Sequence, residues 1–208
     1  MIKCARTTPH LGLGGGPKVS EVVVSRHLGD ASDDALVRAA RVGDREAFEV
    51  IVDRHGPGMH AYARRVLTDD GDVQEAVQDA FVAAWLSLGS FRSQSSLRTW
   101  LFRLTANKAI DLGRRSRAIP VDDALLSPRP AGADTDPHVH LSQAQFLGAL
   151  EAALGELPYR QRASWVLREV HGLTATEVGS VLSLSPGAVR GHLHRARRTL
   201  AERMLRWQ

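Results

Sequence analysis

An all-α protein of two small helical domains joined by a flexible linker is the fold class that this chain of 208 residues predicts. Three observations carry that expectation. Apolar residues recur at helical spacing in two separate blocks, a stretch rich in proline and aspartate divides the blocks, and neither strand-like alternation nor an internal repeat occurs. With 43% hydrophobic and 24% charged residues, the composition is globular and the length suffices for two compact cores.

Residues 1–30 hold Pro9, Gly12, Gly14, Gly15, Gly16 and Pro17 without periodicity and read as a disordered arm. The first domain is expected over 31–116. Ser32 can cap a helix whose first turn carries Asp33 and Asp34, and Gly43 ends it. Asp44 can cap a second helix, where Ala47, Phe48, Ile51, Val52 and His55 share a core-facing side, with His55 at its boundary. A third runs from Asp72 to about Leu86, with Val73, Ala76, Val77, Ala80, Phe81 and Ala84 inward and Trp85 closing it. A fourth runs from about Ser96 to Arg115.

Pro120, Pro128, Pro130 and Pro137, interspersed with Asp122, Asp123, Asp134 and Asp136, make 117–141 an acidic, extended linker. The second domain, 142–208, opens on Phe146, Leu147, Leu150, Leu154 and Leu157, breaks at Pro158, and resumes with Trp165, Val166, Leu167 and Val170 up to Gly172. Thr174 and Glu177 then fit a capping box for a short helix ending at Leu182. Ser183, Leu184 and Ser185 form a tight turn, and Ser185 caps a helix with Pro186 in first position, where a missing amide costs nothing. The pair reads as a helix-turn-helix.

The formal charge is +4 and the charges are segregated. From Asp69 to Asp79 there are five acids and no base; from Arg92 to Arg117, seven bases and one acid; from Ser185 to Gln208, six arginines and one glutamate. Two basic elements suit two contacts with a polyanion, and the acidic stretch suits a protein partner; solvated helix faces are the plainer alternative. No apolar run approaches the roughly 20 residues needed to cross a bilayer, and the N-terminus lacks the order of a secretion signal, so a cytoplasmic protein without membrane insertion is expected. The single Cys4 cannot form an internal disulfide. Histidines are scattered, no acid, nucleophile and base fall at working spacing, and no phosphate-cradling loop precedes a helix. Neither metal, cofactor nor catalysis is expected.

On a wheel begun at Pro186, Val189, Leu193, Ala196 and Leu200 occupy an arc of about 60°, while Arg190, Gly191, His194 and Arg198 occupy an opposite arc of about 100°. One side can pack while the other reads a major groove, which admits a single helix. Gly187 and Gly191 each weaken a helix by up to about 1 kcal/mol, a cost that makes sense where backbone approaches a partner closely. On the fourth helix Trp100, Arg103, Asn107, Asp111 and Arg114 project within about 80°, behind the serine-rich loop Ser93 to Ser96. Rings stack on bases, amides read their edges and arginines hold phosphates, so this side suits unstacked DNA; Trp100 as core is the competing reading. Lys108 falls among the leucines of that helix and must snorkel.

The run from Asp72 to Phe81, then Phe91-Arg92, Ser96-Leu97-Arg98-Thr99-Trp100-Leu101 and Asn107 with Arg114-Arg115, resembles domain two of the bacterial extracytoplasmic-function (ECF) sigma factors. Leu157 to Arg162, Gly172-Leu173-Thr174 and Gly187 to Arg197 resemble their domain four. The resemblance implies an alternative sigma factor that binds core RNA polymerase at the clamp and flap, recognises two promoter elements and melts DNA, with an anti-sigma factor as a further partner. It implies clamp docking by Glu75, Gln78 and Asp79. It implies minus-ten recognition by Ser95, Ser96, Trp100 and Asn107, with Arg103, Arg114 and Arg115 on backbone. It also implies minus-thirty-five recognition by Arg190, Gly191, His194, Arg195 and Arg198, and a linker that threads toward the polymerase active centre. Ser93-Gln94 replaces the frequent Gly-Asp, and Ala188 and Gly191 stand where threonine and serine are frequent, so the promoter sequence does not carry over. An ordinary helix-turn-helix regulator with an N-terminal sensor domain is the alternative.

Overall fold

The computed structural model describes residues 28–92, 94–115 and 141–205, without the side chains of 114 and 141–144. The expected disordered arm, apart from residues 28–30, and nearly all of the expected linker lie outside the described residues. Within them the chain is helical, with no strand.

Helix α1 (Asp33–Arg41) begins where Ser32 Oγ accepts from the Ala35 amide at 3.3 Å, and Gly43 turns the chain at φ +94°. Asp44 caps α2 (Arg45–Val66) through the Ala47 amide, and Pro57 inside this helix lies on its exposed side. Asp33 accepts from Arg54 at 2.7 Å and from His55 at 3.1 Å, tying α1 to α2. Asp69 caps α3 (Asp70–Ser87), two residues earlier than the periodicity predicts, and α4 follows as Leu97–Arg115. Leu36, Ile51, Met59, Ala84, Leu97 and Leu101 fill the centre of this four-helix unit.

The C-terminal unit comprises α5 (Leu141–Gly155), α6 (Tyr159–Trp165) continued by a wider π turn over Val166–Val170, α7 (Ala175–Leu182) and α8 (Pro186–Arg203). Buried Arg162 donates to the Gly155 and Leu157 carbonyls at 3.2 Å, anchoring the end of α5. Leu154, Leu157, Ala196, Leu200 and Met204 pack α5 against α8. Phe146 and Leu147, expected in that core, are 37% and 55% exposed, because the packed stripe of α5 begins only at Ala149.

The turn between α7 and α8 depends on one glycine. A Cβ on Gly179 would lie 2.6 Å from the Leu184 carbonyl oxygen, while Ser183 takes the left-handed conformation at φ +55°. Gly179→Ala is therefore expected to cost about 1–3 kcal/mol by overpacking, read as a lowered thermal midpoint of the whole chain; an unchanged midpoint would mean that the turn can yield.

The two units do not stand apart. Tyr62, Phe102, Ala106 and Ala109 of the first join Val166, Leu167, Val178 and Leu193 of the second in one buried cluster, with α7 lying on α4.

Candidate nucleic-acid interface

The loop entering α4 is held from behind. The Arg41 guanidinium donates to the Leu88 carbonyl at 3.1 Å and to that of Phe91, and Phe91 folds over Trp100 with ring centroids 5.0 Å apart. Ser96 Oγ caps α4 through the Thr99 amide at 3.1 Å and bonds the Thr99 hydroxyl at 2.8 Å. Ser95 donates to the Ser96 carbonyl. Beyond the loop, Arg103, Asn107, Asp111 and Arg115 form an exposed stripe at four-residue spacing. Trp100 shares the arc of Arg103 and Asn107 but is 7% exposed, because Phe91 and the α1–α4 core close around its ring, which fits the competing reading of it as core. The side chain of Arg114 lies outside the described residues.

The acidic helix adjoins this stripe. Lys108 reaches out of the leucine row to Asp79 at 3.1 Å, and Arg115 approaches Glu75 at 3.6 Å, so α3 and α4 exchange charge along their shared edge. Gln78 is exposed beside Glu75. The same side of α3 continues past the acids as Val82, 53% exposed, and Leu86, 79% exposed, with Trp85 alongside against Phe48. The signal for these was present in the sequence, because positions 75, 78, 79, 82 and 86 recur at helical spacing.

On the other unit the Thr174 amide donates to Glu177 at 2.8 Å while Glu177's amide donates to the Thr174 hydroxyl at 3.2 Å, completing the capping box. These bonds hold the Glu177 carboxyl below the usual carboxylate range. Ser185 caps α8 through the Ala188 amide at 3.2 Å. Val189, Leu193, Ala196 and Leu200 are buried; Arg190, His194, Arg195 and Arg198 are exposed, and Gly191 is half-buried among them. Arg195 bonds His192 at 3.2 Å, and Arg198 meets Glu202 only at 3.8 Å. A Cβ on Gly187 or Gly191 would find no neighbour closer than 3.5 Å, so neither glycine is required by the chain's own packing.

Two exposed basic helices on different units, one adjoining an acidic stripe, can be set against known proteins. Residues 51–119 match the profile of Sigma-70 region 2 and residues 147–200 that of Sigma-70, region 4. The RNA polymerase sigma factor CnrH of Cupriavidus metallidurans is 34% identical over 177 residues, 82% of this chain and 93% of that protein. The ECF RNA polymerase sigma factor SigM of Mycobacterium tuberculosis is 32% identical over 193 residues, 93% of this chain and 89% of that protein. The chain is an ECF sigma factor. Among solved structures, CnrH in complex with the cytosolic domain of CnrY matches this sigma factor with a TM-score of 0.62 at 34% identity, over 82% of this chain and 95% of that one. The sigma factor RpoE in complex with the anti-sigma factor NepR from Bartonella quintana shares the fold, with a TM-score of 0.58 at 21% identity over 76% and 96% of the two chains.

Membership settles the class: this is a DNA-binding initiation factor of RNA polymerase and not an enzyme. Among the described residues, no helix of this sigma factor is long and apolar enough to cross a membrane.

Proposed function

We propose that Glu75, Gln78 and Asp79 on α3 dock on the clamp of core RNA polymerase, with Val82 and Leu86 extending that contact. Ser95, Ser96 and Asn107 engage the minus-ten element, Arg103 and Arg115 hold its backbone, and α8 reads the minus-thirty-five element. The observation that carries the reading is the adjacency of an acidic stripe on α3 to the exposed Arg103, Asn107 and Arg115 on α4. A regulator of intact duplex has no use for such a pair, whereas a polymerase subunit must hold protein and opened strand side by side.

The electrostatics follow. Arg115 and Lys108 can exchange Glu75 and Asp79 for DNA phosphates as polymerase takes up the acids, so neither charge need be left unpaired. Gly187 and Gly191 leave α8 room to approach a groove closely. The protein works in the cytoplasm, where polymerase and promoters are. Because CnrH and RpoE were each solved with a second protein, a protein antagonist that caps this sigma factor is also proposed.

Run-off transcription with purified core polymerase tests the whole reading: promoter-dependent transcripts that require this chain are expected. Tight, specific duplex binding by the chain alone, without transcripts, favours the helix-turn-helix regulator. Within the reading, Arg190→Ala and His194→Ala should each lose about 1–3 kcal/mol of discrimination at the minus-thirty-five element and leave strand opening intact. Competition binding with altered elements measures this, and equal weakening on all sequences would reassign both residues to the DNA backbone.

A further inference from the structure

Helix α4 presents three sides. Leu97 and Leu101 pack into the first unit, Phe102 and Ala106 face the seam between the two units, and Arg103, Asn107, Asp111 and Arg115 stand exposed. Two arginines and an amide suit nucleic acid; the aspartate between them does not, because a carboxylate is repelled by phosphates and has no donor with which to hold them. Its neighbours do not neutralise it. Arg115 is four residues on, where an Asp–Arg pair would support the helix, yet it turns to Glu75 at 3.6 Å, and Lys108, three residues back, goes to Asp79 at 3.1 Å. Among the described residues Asp111 has no hydrogen bond or ion pair of its own.

We infer that Asp111 is a specificity-determining residue that accepts a hydrogen bond from the exocyclic amino group of a cytosine at the paired edge of the minus-ten element, an inference that rests on α4 facing that element. Position carries the first step. Asp111 follows Ser96 by 15 residues, or about 22 Å along the helix axis, which is about six base steps from the loop assigned to unstacked bases. Strands parted at the loop rejoin away from it, so Asp111 meets paired DNA. Asn107 precedes it by about 6 Å, or about two base steps.

Hydrogen-bond chemistry carries the second step. In the major groove guanine shows two acceptors and thymine one acceptor and a methyl group, none of which a carboxylate can use. Adenine sets its amino group beside a ring acceptor, an arrangement that an amide matches and a carboxylate opposes. Cytosine offers an amino group alone. The charge of Asp111 therefore acts in two directions, weakening approach to any duplex and offsetting that loss only where cytosine stands opposite. Arg103 and Arg115 attract DNA of every sequence, and Asp111 places a condition on that attraction.

The test uses holoenzyme assembled from core polymerase and the full chain, and a pool of promoter duplexes randomised through the minus-ten element and its flanks, selected by binding and sequenced. Wild type should enrich cytosine about five- to tenfold at one position, about two steps from the position whose preference Asn107→Ala removes. Asp111→Ala should lose that cytosine preference alone, while binding the unselected pool about twofold or more tightly at low salt because a like charge is gone. Asp111→Asn removes the same charge but supplies the bond pair that adenine takes, so its preference should move from cytosine to adenine. The melting midpoints of both variants should match wild type, and a lowered midpoint in both would assign Asp111 to the fold and overturn the inference. Tighter binding to every sequence with unchanged base preferences would leave Asp111 a solvated acid and overturn it too, as would a wild-type pool without that cytosine. Failure of the proposed function looks different: wild-type holoenzyme would then select no minus-ten sequence and give no promoter-dependent transcript, and the cytosine contact would fall with it.

Discussion

Reversing Glu75 and Asp79 to lysine together is expected to abolish capture of core polymerase while the protein remains folded. The acids are half exposed and their present partners are weak holds: Arg115 at 3.6 Å is 74% exposed and Lys108 at 3.1 Å is 37% exposed. Exposed pairs of this kind are each worth about 0–1 kcal/mol, so the thermal midpoint should move little. Docking is different, because two like-charge juxtapositions across an interface cost several kcal/mol, or more than about a hundredfold in affinity. Labelled sigma factor titrated with core polymerase reads the loss directly. Wild-type affinity in a well-folded double variant would remove α3 from the polymerase contact.

That prediction was available from the sequence because the residues are local neighbours on one helix. The caps were legible for the same reason. Ser32, Asp44, Thr174 with Glu177, and Ser185 with Pro186 all act within three residues, and the structure realises each of these local arrangements. The buried and exposed sides of α8 follow from period alone. The seam did not follow, because Tyr62 meets Tyr159 from 97 residues away and Thr99 meets Glu177 from 78. No periodicity on α4 says that Phe102 and Ala106 face a second domain and not the first. The left-handed Ser183 and the contact that fixes Gly179 were hidden for a related reason, since both depend on where the chain returns after the turn. The wheel alone left Trp100 open between core and interface: it shares an arc with Arg103 and Asn107, but Phe91, positioned by Arg41 from α1, covers it.

That cover sets the second large effect. Trp100→Ala removes an indole that is 7% exposed, and truncating a buried aromatic costs about 3–5 kcal/mol. For a chain of this length the thermal midpoint should fall roughly 6–20 °C. The variant should then initiate poorly on duplex promoter and equally poorly on a template already mismatched around the minus-ten element, because the protein and not the strand separation is at fault. Asn107→Ala should behave in the opposite way. Its side chain is exposed on α4, so stability should hold, while open-complex formation on duplex slows and recovers in part on the mismatched template. Recovery is partial because a lost base-edge contact stays lost on an open strand. Permanganate reactivity of unpaired thymines, read beside a melting curve for each variant, separates the two. A Trp100→Ala protein with an unchanged melting midpoint, defective on duplex and rescued by the mismatch, would mean that the indole leaves Phe91 on binding and stacks on a base.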